Sequence, residues 1–311
     1  MFPVSLTTIR DLKEDQVRAL LTLAKSIKKN PDDYTSVLKG KTVLQFFVEN
    51  STRTRMSFEA ATRKLGGASI AFASATSSLS KGETLLDTIQ TIQQYGVNAI
   101  VMRHSSGGSP DFVANVTGLP VVNAGDGSHE HPTQALLDSL TLSEHWGISF
   151  DKEEPFSGKT VMILGDTIYS RVTRSNIHCL TKLGAKVILC GPKTLTIKNT
   201  ELFPKIEVID FPESVIGSVD AVMTLRIQLE RQLSGGIPSK EEYRHFWGLH
   251  QERVSQMKKG AVILHPGPMN RGVEIDAEVA DSDRSLMLKQ VENGVWARMA
   301  VLATLVGGVK P

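Results

Sequence analysis

Apolar residues recur along this chain in two rhythms. Val17, Leu20, Leu21, Ala24 and Ile27 fall at helical spacing and make one apolar stripe. Asp11, with Glu14 three residues on, reads as the cap of that helix, and Asn30-Pro31 as its stop. Beyond it the rhythm changes to short apolar runs: TVLQFFV (42–48), ASIAFA (68–73), NAIVMRH (98–104) and PVVNAG (120–125). Helical patterns follow these runs at roughly Arg55–Leu65, Thr84–Tyr95, Pro110–Val116 and Pro132–Trp146. Strands that alternate with helices predict a parallel sheet covered by helices.

Gly147 to Gly158, GISFDKEEPFSG, breaks the pattern with charge, proline and glycine and reads as a linker. A second series begins at once: TVMILGD, a helix near Arg171–Leu183, AKVILCGP, IEVID, DAVMTLR and AVILHPGP. A long stretch rich in apolar residues, Ser285–Val306, comes last. The expected fold class is α/β, with two doubly wound parallel-sheet domains of similar size.

Composition narrows the partners. The chain has 311 residues, 41% of them hydrophobic, and a formal net charge of +2. That charge is too small for wrapping nucleic acid, and no basic run carries interleaved aromatics. The apolar stretches are short and broken, so no membrane span is expected. The N-terminal MFPVSLTTIRDLKED lacks a signal-peptide pattern. Cys179 and Cys190 read as buried thiols in a reducing cytoplasm, not as a disulfide framework or zinc site. No metal-ligand cluster and no cofactor motif stand out.

In doubly wound sheets ligands sit beyond the carboxyl ends of strands, so the polar residues after each apolar run carry the chemistry. The first such stretch is VENSTRTRMSFE (48–59). Ser51 is placed as an N-cap and Thr52 to Arg55 as the first helical turn. The opening N–H groups of a helix lack partners and carry partial positive charge. With two further hydroxyls and Arg53 beside them, they form a cradle for a phosphate. There is no G-x-x-x-x-G-K, which excludes a nucleotide P-loop. Arg55 and Glu59, at i and i+4, read as a pair. The other strand ends carry Arg103-His104, His131-Pro132-Thr133-Gln134, Gly165-Asp166 with Arg171, Arg226-Ile227-Gln228, and His265-Pro266-Gly267-Pro268. One arginine at a strand end is an ordinary surface charge, and a lone histidine an ordinary structural one. The whole set points to a cleft that binds anions on both sides.

S-T-R-T-R, H-P-T-Q, G-D-x-x-Y-S-R, R-x-Q-x-E-R and H-P-G-P-x-N-R run in order from about Ser51 to Arg271. In kind and order they resemble the aspartate carbamoyltransferase catalytic chains of the transcarbamoylase family. The resemblance implies transfer of a carbamoyl group from carbamoyl phosphate to L-aspartate in pyrimidine biosynthesis, without a cofactor. It implies Ser51, Thr52, Arg53 and Thr54 on the phosphate, and Thr54, Arg103 and His131 around the carbonyl oxygen, with Arg53, Thr54, Arg103 and His131 as the catalytic set. Gln134 matches the contact to the carbamoyl NH₂, and the backbone at Gly267-Pro268 faces the substrates. Arg171, Arg226 and Gln228 match the aspartate site.

The family's loop that reaches a neighbouring subunit matches SLSKGET (78–84): Lys81 would touch phosphate and aspartate. Either Ser78, favoured by its spacing, or Ser80 would join it on the phosphate. The implied assembly is a cytoplasmic homotrimer with sites at domain and subunit interfaces; regulatory chains or a dihydroorotase as further partners stay open. By the same resemblance the last helix returns to the first domain. The expected division is therefore 1–146 with about 287–311 for carbamoyl phosphate, and 147–286 for aspartate. One departure is Gly267 where the family commonly has leucine, which would leave the turn freer. Two alternatives stand beside this reading: a transferase for ornithine or another amino acid, and a non-catalytic phosphate-binding scaffold on the same fold. Against ornithine, its family's S-M-G loop and H-C-L-P cysteine have no counterpart here.

Overall fold

The computed structural model describes residues 2–72, 82–203, 205–227 and 239–311. The chain divides into two compact units, Met1–Asp151 with Glu292–Pro311, and Lys152–Val291. The first unit opens with α1 (Glu14–Lys29), which buries Val17, Leu20, Leu21, Leu23, Ala24 and Ile27. Its cap differs from the sequence expectation. Lys13 is the N-cap residue, and its backbone N–H donates to Gln16 Oε1 at 2.8 Å. Asp11 is occupied one turn earlier, accepting from the Thr8 hydroxyl at 2.7 Å.

The unit continues through β1 (Thr42–Phe47), α2 (Thr52–Lys64), β2 (Ala68–Ala71), α3 (Leu85–Gln93), β3 (Ala99–His104), α4 (Ser109–Thr117), β4 (Val121–Asp126) and α5 (Pro132–Trp146). Among the described residues the sheet order is β2-β1-β3-β4, with every pair parallel. The chain leaves β1 for β2 on one side and returns to β3 on the other, so the order reverses between β1 and β3. The register sets Phe47 beside Arg103 and His104 beside Asp126, which aligns the carboxyl ends along one edge. Leu44, Phe46, Ile100 and Met102 point into a core closed by Ile89 and Val113. Helix α5 is buried from Pro132 to Ser143 despite six polar residues in that span, Thr133, Gln134, Asp138, Ser139, Thr141 and Ser143.

The expected linker carries the boundary between the units, yet it is not a bare tether. Phe150 and Phe156 are both buried, each within its own unit. The second unit runs β5 (Thr160–Leu164), α6 (Arg171–Lys182), β6 (Lys186–Cys190), β7 (Ile206–Ile209), β8 (Ala221–Thr224), α7 (Lys240–Trp247), α8 (Gln251–Ser255), β9 (Val262–Leu264) and α9 (Ala277–Ala280). Its described strands are parallel in the order β7-β6-β5-β8-β9, which reverses between β5 and β8. The sequence pattern omits α7 to α9. In α7, KEEYRHFW, Tyr243 is the one buried residue, too little to make a stripe. The last helix, α10 (Met287–Leu305), begins in the residues of the second unit and ends in those of the first.

Cys179 and Cys190 are buried and unbridged, and burial pushes the Cys190 thiol up to about 12. No helix of the described residues is long and apolar enough to cross a membrane.

Phe46 is fully buried, its ring 4.4 Å from that of Phe72. Phe46→Ala is expected to cost about 3–5 kcal/mol, from lost burial plus the cavity left behind, measured as the shift in urea unfolding.

Candidate functional site

Each strand of a parallel sheet hands over to a helix at the same edge, and the first N–H groups of those helices have no partner within the helix. In the first unit the reversal point lies between β1 and β3, where Ser51 takes the N-cap position of α2 at φ −160° and ψ 93°. Its hydroxyl makes no capping bond, so the expected N-cap holds for its position and not for its bond. The first intrahelical bond runs from Arg55 N to Ser51 O at 3.1 Å, and the N–H groups of Thr52, Arg53 and Thr54 lie ahead of it. Thr52 and Arg53 are exposed, and Thr54 is half-buried. Arg55 Nε lies 3.6 Å from Glu59 Oε1, as the i, i+4 spacing anticipates.

Arg103 arrives beside this turn from the end of β3. Its Nη2 donates to Glu49 Oε1 at 2.7 Å and its Nη1 to Ala124 O at 3.2 Å, while Val48 N donates to Arg103 O at 2.9 Å. The guanidinium is thus held in place by the segment that leads into Ser51. His104, next along, accepts at Nδ1 from Ser106 N at 2.9 Å; burial outweighs the charge of Glu49 and keeps its pKa low. It supports the loop as a neutral ring.

The loop from β4 to α5 is organised by one fully buried carboxylate, Asp126. It accepts from Gly108 N at 2.7 Å, Asn123 Nδ2 at 2.8 Å, His129 Nδ1 at 2.9 Å and Glu130 N at 3.0 Å. Burial pushes the Asp126 carboxyl up, but these bonds, His129 foremost, outweigh it and hold it below the usual carboxylate range. In return the bond to Asp126 raises His129 above the ordinary histidine value, against its own desolvation. Glu130 pins the loop from the other side, accepting Ile9 N at 2.8 Å. The loop delivers His131, buried at the N-cap of α5, and one turn later Gln134, whose Nε2 donates to Asp138 Oδ1 at 2.9 Å.

In the second unit, Ser170 caps α6 by accepting from Thr173 N at 3.2 Å, and Arg171 opens the helix in a buried position. Arg226 follows β8 and is half-buried. After β9, His265 Nδ1 accepts from Gly267 N at 2.8 Å, so Nε2 carries the ring hydrogen toward Glu274 Oε1 at 3.2 Å. Asn270 N also donates to Glu274 Oε1, and Asn270 Nδ2 donates to Ile227 O at 3.2 Å. One buried carboxylate thereby ties the His265–Pro268 turn to the segment carrying Arg226. Gly267 has φ +64°, a conformation that strains any side chain, so the departure from leucine fits a turn that is held firmly.

Ser51, Thr52, Arg53, Thr54, Arg103, His131 and Gln134 therefore share the carboxyl edge of the first sheet. Arg171, Arg226, Gly267 and Pro268 follow carboxyl ends of the second. Ser78, Ser80, Lys81 and Gln228 lie outside the described residues. Sequence reasoning missed the carboxylates that hold these groups, Glu49, Asp126, Asp138 and Glu274. Only Asp138, four residues from Gln134 on one helix, had a spacing that could have revealed it.

Two family models match the chain. The carbamoyl-P binding domain of aspartate/ornithine carbamoyltransferase matches residues 5–144, and the Asp/Orn binding domain matches residues 157–305. The aspartate carbamoyltransferase catalytic subunit of Myxococcus xanthus is 48% identical over 294 residues, covering 94% of this chain and 96% of the relative. That of Opitutus terrae is 46% identical over 312 residues, covering 97% and 95%. Among solved structures, aspartate transcarbamoylase from Trypanosoma cruzi, in complex with carbamoyl aspartate and phosphate, superposes with TM-score 0.86 at 29% identity, covering 97% of this chain and 96% of that one. Ornithine carbamoyltransferase from Thermus thermophilus gives TM-score 0.85 at 25% identity, covering 98% and 100%.

The Asp126–His129 pair sets a pH dependence. Asp126, held low, contributes stability above an ordinary carboxylate pKa of about 3.9 and loses it as pH falls through its lower folded value. His129, held high, contributes fully below about pH 6.5 and loses that contribution as pH rises through its folded value. Asp126→Asn is accordingly expected to lower the melting temperature relative to the wild type more at about pH 6 than at about pH 9. Melting curves at the two pH values check this; an equal deficit at both would remove the ion pair from the account.

Proposed function

The chain belongs to the aspartate/ornithine carbamoyltransferase family, and from that premise we propose that it transfers the carbamoyl group of carbamoyl phosphate to the amine of L-aspartate. The products are N-carbamoyl-L-aspartate and phosphate, and the step belongs to de novo pyrimidine (UMP) biosynthesis. The observation that carries this reading is the group on the first sheet edge: an open helix N-terminus with Ser51 to Thr54, a braced Arg103, and His131 at the next helix start.

Phosphate is both handle and leaving group. The α2 N-terminus with Ser51, Thr52, Arg53 and Thr54 meets the charge that grows on it as the C–O bond breaks, so these donors act on the transition state more than on the bound substrate. Attack by the amine nitrogen on the carbonyl carbon makes an oxyanion, which Thr54, Arg103 and His131 stabilise; His131 serves as a donor and not as a nucleophile. Gln134 takes the carbamoyl NH₂, and the Gly267-Pro268 backbone is assigned a main-chain contact to the substrates. The two aspartate carboxylates need two cationic forks, the role given to Arg171 and Arg226, with Gln228 beside them. Every step is polar and calls for no electron carrier.

Arg226 and Arg171 also favour aspartate over ornithine, whose cationic side chain they would repel. The relatives at 46–48% identity carry the aspartate name, and the Trypanosoma cruzi enzyme was solved with carbamoyl aspartate and phosphate. Ser78 and Lys81 are assigned to a neighbouring copy's site, which makes a homotrimer the working unit. The buried, unbridged thiols suit a reducing cytoplasm.

Phosphate release from carbamoyl phosphate is expected with aspartate and not with ornithine; release with neither would leave the scaffold reading standing. His131→Ala and Arg53→Ala are each expected to lower kcat by about 10²–10³ while circular dichroism stays unchanged. Wild-type turnover in both would strip these residues of their roles.

A further inference from the structure

We infer that Asp138 is a positioning residue that makes the site select a carbamoyl over an acyl phosphate, by turning the Gln134 amide so that its oxygen faces the substrate. The inference rests on the carbamoyl-transfer reading above.

Gln134 and Asp138 stand one turn apart on α5, on the same face. The two ends of a glutamine amide are alike in shape and opposite in chemistry. A carboxylate only accepts, so the end that meets Asp138 must be the NH₂, and Gln134 Nε2 donates to Asp138 Oδ1 at 2.9 Å. The amide oxygen is then the end left for an external donor. Carbamoyl phosphate offers such a donor in its own NH₂. Acetyl phosphate has the same outline with a methyl group there, and would leave the oxygen unpaired. A site built to hydrogen-bond a group discriminates strongly against an analogue lacking it.

The orientation requires that Asp138 keep its charge in a fully buried position. A cation from a distant part of the chain, Arg298 on α10, also buried, lies within electrostatic reach of it. Burial pushes the Arg298 guanidinium down to about 10, and the charge of Asp138 acts to raise it. Arg298 Nη1 donates to Ser57 Oγ on α2 at 2.8 Å, and the guanidinium carbon lies 5.0 Å from the Phe58 ring centre. Gly294, one turn earlier on α10, makes room: a Cβ there would stand 2.5 Å from Arg298 Nη1. Arg298 is thus anchored to the same helix whose first turn holds Thr52 to Thr54. A merely structural role would hold the helices together without distinguishing two phosphate anhydrides of the same outline.

The test compares the wild type with Asp138→Ala, with Asp138→Ala/Arg298→Met, which removes the orphaned buried guanidinium, and with Gln134→Leu. The readouts are KM for carbamoyl phosphate at saturating aspartate and the inhibition constant of acetyl phosphate. Neither depends on the fraction of protein that is folded. The expected result is a KM raised about tenfold or more in all three variants, with acetyl phosphate inhibition within about twofold of the wild type. The inference is overturned if both constants weaken together, which marks a structural role, or if KM in the Asp138 variants stays at the wild-type value. Absence of wild-type turnover with aspartate would overturn the carbamoyl-transfer reading, and this inference with it.

Discussion

A carboxylate taken out of water must be given hydrogen-bond donors, since an uncompensated buried charge costs several kcal/mol. Asp126, Asp138 and Glu274 are all fully buried, and each is met by donors from a segment near the carboxyl edge of its sheet. The donors are not interchangeable. For Asp126 they are backbone N–H groups of the loops on either side of it, for Asp138 the Gln134 amide, and for Glu274 the Asn270 backbone and the His265 ring. The requirement to satisfy the charge therefore fixes where the loops go. Glu49 does the same at the rim for Arg103, though only partly out of solvent.

The fold supplies the stage twice. In each sheet the chain goes out on one side and returns on the other, and the strand ends flanking the reversal carry the cationic and hydroxyl groups. Parallel pairing brings helix starts to one edge, which is why an anion site requires little more than short polar side chains there. Helix α5 shows how far the arrangement reaches into the interior. Thr141 and Ser143 bond back to Leu137 O and Leu140 O within the helix, and Asn293 Nδ2 of α10 donates to Thr141 Oγ1 at 3.1 Å.

What the sequence disclosed follows from distance along the chain. Strands β1, β3, β4, β5 and β6 are dense apolar runs, and α1, α5 and α6 have strong starts and stops, so local patterns sufficed. The Asp11 cap failed because Thr8 competes for that carboxylate within the same turn, which composition does not reveal. Helix α7 escaped because one buried tyrosine makes no periodicity. Many of the residues expected on the substrates stood out by their place near strand ends, while their individual roles came from the resemblance. The groups that hold them could not. Arg298 reaches Ser57 from the far end of the sequence, and Asn270 reaches back to Ile227, contacts that only the folded chain brings together.

The two units also differ in how their segments follow one another. Lys152–Val291 is one continuous stretch, whereas the other unit needs Glu292–Pro311 to be complete. A ribosome making this chain releases the whole of the interior unit while the outer one still lacks Arg298 and the rest of its closing helix. The half that matches the carbamoyl-P binding domain is started first and finished last, so a nascent chain halted before that helix carries the Ser51–Thr54 turn without the buried cation that steadies α2.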